Sequence, residues 1–88
     1  MKKWILMASL CLVAVAAQAQ SYKEYVRKAL DAMSMDSTEV AERLFREAMR
    51  VEPAQRSNAM IYYQIGRMQE HRGKLEKALE SYTMGLNV

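Results

Sequence analysis

Apolar positions along the chain recur three and four residues apart, not every second residue, and this spacing predicts helices without strands. A first helix reads from Ser21, whose hydroxyl and the Glu24 carboxylate have the spacing of a capping box. It carries Tyr22, Tyr25, Val26, Ala29, Leu30 and Met33 on one face. Ser34-Met35-Asp36-Ser37 breaks it, because short polar side chains there compete for backbone hydrogen bonds. A second helix starts near Asp36, with Glu39 as box partner, and presents Val40, Ala41, Leu44, Phe45, Ala48 and Met49. It stops before Pro53, since the residue preceding a proline is pushed out of the α region. Ser57 or Asn58 caps a third, bearing Ile61, Tyr62, Ile65, Gly66 and Met68 and ended by a left-handed Gly73. The fourth carries Leu75, Ala78, Leu79, Tyr82 and Leu86. Glu24 with Lys28, Glu39 with Arg43 and Glu42 with Arg46 stand four apart with the acid first, the favourable order on a helix surface.

The first nineteen residues follow a different pattern. Lys2 and Lys3 precede an apolar run from Trp4 to Ala17, broken only by Ser9, and Ala17-Gln18-Ala19 follows as a small-x-small tripeptide. That order of basic, apolar and small segments predicts a secretory signal peptide over 1–19, cleaved to leave 20–88 as the folded domain. The run falls short of the roughly 18 or more apolar residues of a membrane-spanning helix, which makes an uncleaved anchor the lesser reading. The only cysteine, Cys11, lies inside this run. As a lipid-attachment site it would follow Met7-Ala8-Ser9-Leu10, a poor match to the small residues such a site needs. Without its leader the domain has no thiol for catalysis, disulfides or metal binding. The formal charge of +3 changes as well: eleven of the thirteen basic residues remain against all ten acidic ones, leaving +1 and no electrostatic case for nucleic acid.

Sliding the chain against itself by 37 residues superposes the second helical pair on the first. Tyr25 falls on Tyr62, Ala29 on Gly66, Ala41 on Ala78, Phe45 on Tyr82 and Ala48 on Gly85. Small residues coincide with small ones and aromatics with aromatics, as needed where two helices approach closely and a ring fills the space between them. Such a unit cannot bury its apolar face alone and stacks on a neighbour.

On these residues the chain resembles the tetratricopeptide repeat (TPR) family. A unit begun at Ala59 places Tyr62, Ile65, Gly66, Ala78, Tyr82 and Gly85 at that family's aromatic, apolar and small positions, with Gly73 at the turn. A unit begun at Tyr22 places Tyr25, Ala29, Ala41, Phe45, Ala48 and Pro53 correctly. It departs at Lys28, where an apolar residue is usual, and at Asp36, in place of the turn glycine. Arg56-Ser57-Asn58 are additional between the units. The resemblance implies an all-α fold: antiparallel helix hairpins, units about 22–55 and 59–88 with the second truncated, stacked as a short right-handed superhelix. Two such units bury little surface, and stacked repeats usually need about three for stability. This predicts completion by further repeats, self-association or a partner.

Residues that could carry chemistry are few. His71 stands beside Arg72 near a helix end, where a solvated histidine interacts with the helix dipole, and has no second His or Cys to make a metal or catalytic pair. The six methionines after the leader read as adaptable packing, not a cofactor box. The expectation is no enzyme, no metal and no cofactor. The resemblance implies partner binding on the concave surface, through Lys23, Val26, Leu30 and Met33 from the first unit and Met60, Tyr63, Arg67 and Glu70 from the second. An apolar strip with Lys23 and Arg67 suits a peptide bearing an apolar anchor and an acidic group. The family's carboxylate clamp is not indicated, since Arg27 and Gln64 stand where its asparagine would be sought. The functional expectation is therefore an exported interaction scaffold, periplasmic or extracellular. The alternative is the amino-terminal helical part of a larger envelope receptor, sensor or hydrolase. Export predicts that the protein expressed in a bacterial host carries Gln20, free or cyclised, as its amino terminus by mass spectrometry; a retained Met1 contradicts it.

Overall fold

A computed structural model describes the backbone of residues 2–88 and the side chains of residues 17–88. The side chains of residues 2–16, Cys11 among them, lie outside the described residues. Four helices follow one another: α1 (Lys2–Ser34), α2 (Thr38–Val51), α3 (Asn58–His71) and α4 (Leu75–Leu86). They pack as two antiparallel hairpins, α1 with α2 and α3 with α4, and the hairpins meet through α2 and α3. There is no strand among the described residues. No helix among them is long and apolar enough to cross a membrane.

Both hairpins turn in the same way, bond for bond. Asp36 and Gly73, 37 residues apart, have positive φ, 59° and 78°. Around each, the amide after the left-handed residue donates to a carbonyl five residues back, Ser37 to Ala32 (2.9 Å) and Lys74 to Gln69 (2.8 Å). The left-handed residue's own amide donates three back, Asp36 to Met33 (3.1 Å) and Gly73 to Glu70 (3.0 Å). These two bonds satisfy carbonyls that a helix end leaves unpartnered and make a Schellman turn. Glycine takes this conformation freely and aspartate at some cost, so Asp36 replaces the turn glycine without changing the turn.

In the second hairpin a ring lies over a small residue, and the first buries an aromatic and a small residue at the corresponding positions. Ala29, Ala41, Phe45, Ala48, Gly66 and Ala78 are buried, while Tyr25, Tyr62, Tyr82 and Gly85 are half-buried. A Cβ on Gly66 would stand 2.6 Å from Cε1 of Tyr82, so that helix contact admits no side chain. A Cβ on Gly85 would stand 3.2 Å from both the Ala59 carbonyl oxygen and the Tyr62 Cβ. Phe45 and Ile65, the largest fully buried side chains, sit with Ile61, Met68, Ala48 and Met49 in one core that joins α2 to α3.

Several sequence-based expectations are corrected. Helix α1 does not begin at Ser21: no proline or glycine interrupts Lys2 to Ser34, so the helix runs through and Ser21 caps nothing. Asp36 is no N-cap, because it occupies the left-handed position, and α2 starts at Thr38 without a side-chain cap bond. Neither Ser57 nor Asn58 caps α3, since both side chains bind elsewhere. Of the three surface pairs only Glu42–Arg46 forms, at 3.0 Å; Glu39 pairs with Arg72 and Glu24 with Arg27. Leu75, Leu79 and Leu86 lie outside the buried face of α4, which is Ala78 and Ser81.

Because the two turns are alike in bonding, Asp36→Gly should stabilise the protein by about 1 kcal/mol and Gly73→Ala should destabilise it by about as much. Urea denaturation of the two variants checks both signs. Gly66→Ala should lower stability by about 1–3 kcal/mol through overpacking, and should cost much less in a Tyr82→Ala background, as a double-mutant cycle reads directly.

Candidate functional site

The first hairpin and α3 enclose a cleft of about 290 Å³. Val26, Leu30 and Lys23 of α1 form one wall, Met60, Ile61 and Gln64 of α3 the other, and Phe45 of α2 lines the cleft between them. Its position follows from the packing: α1 and α3 both lean on α2 without close approach of their own backbones, which leaves a slot between them. Leu30 and Met60 are 48% and 67% exposed, so apolar surface faces solvent where a ligand could cover it. Arg27 lines the cleft as well, and its guanidinium lies 3.8 Å from Glu24 and 3.4 Å from Asp31. Lys23 has no acidic partner within 4.0 Å among the described residues. The cleft thus joins an apolar interior to two cations.

The eight groove residues expected from sequence do not all line this cleft. Lys23, Val26, Leu30 and Met60 meet at this cleft. Met33 packs half-buried against the core. Tyr63, Arg67 and Glu70 form a second cluster on the α4 side of α3. There the Arg67 guanidinium lies 5.9 Å from the Tyr63 ring centre. The Tyr63 and Tyr82 rings are 5.8 Å apart and tilted by 42°, and the Tyr82 hydroxyl donates to Glu70 Oε1 at 3.2 Å. Desolvation, with a further contribution from the Glu70 carboxylate, raises the Tyr82 phenol above the ordinary tyrosine range. His71 is exposed at the end of α3.

Two polar clusters hold the hairpins in register and so set the width of the cleft. At one end the Tyr22 hydroxyl donates to Asn58 Oδ1 (2.8 Å) and stands 2.6 Å from the Ser57 hydroxyl. The phenol has one proton, which goes to Asn58, so Ser57 is the donor in the second bond. Asn58 Nδ2 then donates to the Glu52 carbonyl at 2.9 Å. This ties α1, the α2–α3 loop and α3 together through two of the three additional residues between the units. At the other end Gln69 Nε2 donates to Glu42 Oε1 (3.2 Å), while Gln69 Oε1 accepts from the Ser81 hydroxyl (2.6 Å). Arg72 reaches Glu39 at 2.9 Å and Glu42 at 3.7 Å. Sequence reasoning missed these residues because their partners lie up to 36 positions away. The available signal was a polar Asn58 and Gln69 on faces otherwise apolar.

No buried side-chain nitrogen or oxygen among the described residues lacks a partner, and no group of three or more His, Cys, Asp or Glu is placed to hold a metal ion. No protein-family model, no curated protein and no solved structure matches the chain.

Asn58→Ala should destabilise by about 1–3 kcal/mol, because it leaves the Tyr22 hydroxyl and the Glu52 carbonyl short of partners; thermal melts of this variant and of Tyr22→Phe check it. The raised Tyr82 pKa stabilises the fold fully below the unfolded tyrosine value, and that contribution is lost as pH rises through the folded one. Wild type should therefore lose more stability than Tyr82→Phe between about pH 9 and about pH 11, in urea titrations across that range.

Proposed function

We propose that this protein is an exported helical-repeat scaffold of the TPR type, its hairpins stacked with right-handed superhelical twist. It binds a peptide or protein segment in the cleft between α1 and α3. The observation that carries this reading is the cleft itself: an apolar slot lined by Phe45, Val26 and Ile61, partly open to solvent, with Lys23 and Arg27 on the α1 side. Such a site takes an aliphatic side chain into the slot and an acidic group against the cations. Recognition needs no covalent chemistry, and the cleft holds no nucleophile paired with a base.

Support also comes from what the rest of the fold does. The Tyr22–Asn58–Glu52 and Gln69–Glu42–Arg72 clusters pin both ends of the α2–α3 interface. Pinning them holds the cleft walls apart before any ligand arrives, which lowers the ordering cost of binding.

Panning a random peptide library against the protein should yield sequences combining an aliphatic residue with Asp or Glu. Leu30→Asp, at a position already 48% exposed, should leave the fold intact by circular dichroism and weaken these peptides about tenfold to a hundredfold. Lys23→Glu should invert the preference for acidic peptides. Selected peptides that bind Leu30→Asp as tightly as wild type would remove the cleft from the mechanism.

A further inference from the structure

The 37-residue register places each residue of α2 on one of α4, and it identifies what the outer side of α4 is built to meet. On α2, Glu42, Phe45 and Met49 lie on the side covered by α3, where Met49 is 9% exposed. Their counterparts on α4 are Leu79, Tyr82 and Leu86, and Thr38 at the start of α2 corresponds to Leu75. Tyr82 is half-buried over Gly66, but nothing among the described residues covers the leucines: Leu75, Leu79 and Leu86 are 66%, 67% and 87% exposed. One charge is kept in the same place. Glu39, which receives Arg72 of α3 at 2.9 Å, corresponds to Glu76, which has no cation within 4.0 Å among the described residues.

We infer that this side of α4 is the docking surface for an amphipathic helix with the chemistry of α3, lying antiparallel to α4. It carries aliphatic residues at i, i+4 and i+7, as α3 has Ile61, Ile65 and Met68, and a basic residue at i+11, as α3 has Arg72, directed at Glu76. The aliphatic side chains cover Leu79, Tyr82 and Leu86, and the basic residue repeats the ion pair already made between the hairpins.

A second copy of the chain is the wrong occupant on chemical grounds. At the positions where α3 has Ile61, Ile65 and Met68, α1 has Glu24, Lys28 and Asp31, all exposed and charged, so the far end of another copy cannot supply the apolar stripe. The α3 of another copy is already held against its own α2. Two α4 helices paired about a two-fold axis would set Glu76 against the uncharged segment from Thr83 to Val88 and leave it without a cation.

The probe is a synthetic peptide with the α3 sequence, Ser57 to Lys74, titrated into the isotope-labelled full-length protein and followed by NMR. Saturable binding with shifts on α4 is expected. Leu79→Glu, at a solvent-exposed position, should weaken it at least tenfold with the helical spectrum unchanged. Glu76→Lys should weaken the wild-type peptide and recover binding with a peptide carrying Arg72→Glu. Binding weaker than about 1 mM, or equal binding to the Leu79→Glu variant, overturns the inference. So does a dimer in sedimentation equilibrium that Leu79→Glu converts to monomer, since the face would then belong to a second copy.

Discussion

The structure depends on close helix approach within each hairpin, most plainly where one aromatic ring fits over one small residue. Tyr82 lies so close to Gly66 that a single added carbon would overlap its ring. Phe45 and Ala29 hold the corresponding positions in the first hairpin, both fully buried. Close approach of the two backbones is what lets a pair of helices of 14 and 12 residues, α3 and α4, bury enough surface to hold together. Everything else in the fold is arranged so that this approach can happen. The Schellman turns reverse the chain within three residues, and Ala48 and Gly85 keep the open end of each hairpin narrow.

Stacking one hairpin on the other is a separate problem with a different solution. Inside a hairpin the contact is apolar and set by size. Between hairpins the apolar core of Phe45, Ile61, Ile65 and Met68 is flanked at both ends by hydrogen-bonded polar clusters. An apolar face alone would tolerate sliding of α3 along α2. Directional bonds made by the buried Tyr22, Asn58, Gln69 and Ser81 penalise any shift that leaves one unpaired. Gln69 illustrates this well: its amide faces Glu42 on one side and Ser81 on the other, so it couples the interface between hairpins to the packing within the second. The cleft beside Phe45 is a consequence of the same geometry, since its walls stand wherever that register places them.

Lys28 and Ile65 show how position in the stack rewrites the same site. They are 37 residues apart on equivalent faces. Ile65 is fully buried against α2, whereas Lys28 is exposed. The outer side of α1 is charged at three positions where α3 is aliphatic, so the stack has one polar side and, on α4, one apolar side. This asymmetry accounts for one departure of the first unit from the repeat pattern: Lys28 falls on a side of α1 with no helix to pack against among the described residues.

The amino-acid sequence alone determined the local features: helices, the breaks at Asp36 and Gly73, the pairing of small residues with rings, and a period of 37. These depend on neighbours three to five residues away or on residue size, and both can be read in order along a chain. It did not determine which apolar positions would be covered. Leu75, Leu79 and Leu86 share the helical spacing of a buried stripe, yet they point outward, because coverage depends on a second helix and not on the spacing. Nor did it bring Tyr22 to Asn58 or Gln69 to Glu42 and Ser81, for a polar side chain's partner is chosen by the distance left after packing. Only the tertiary structure decided that four of the eight expected groove residues share a cleft while Tyr63, Arg67 and Glu70 join Tyr82 beside α4. The reason is geometric: Met60 stands in the first turn of α3 beside the cleft, whereas Tyr63 and Glu70 follow three and ten residues later, within reach of Tyr82.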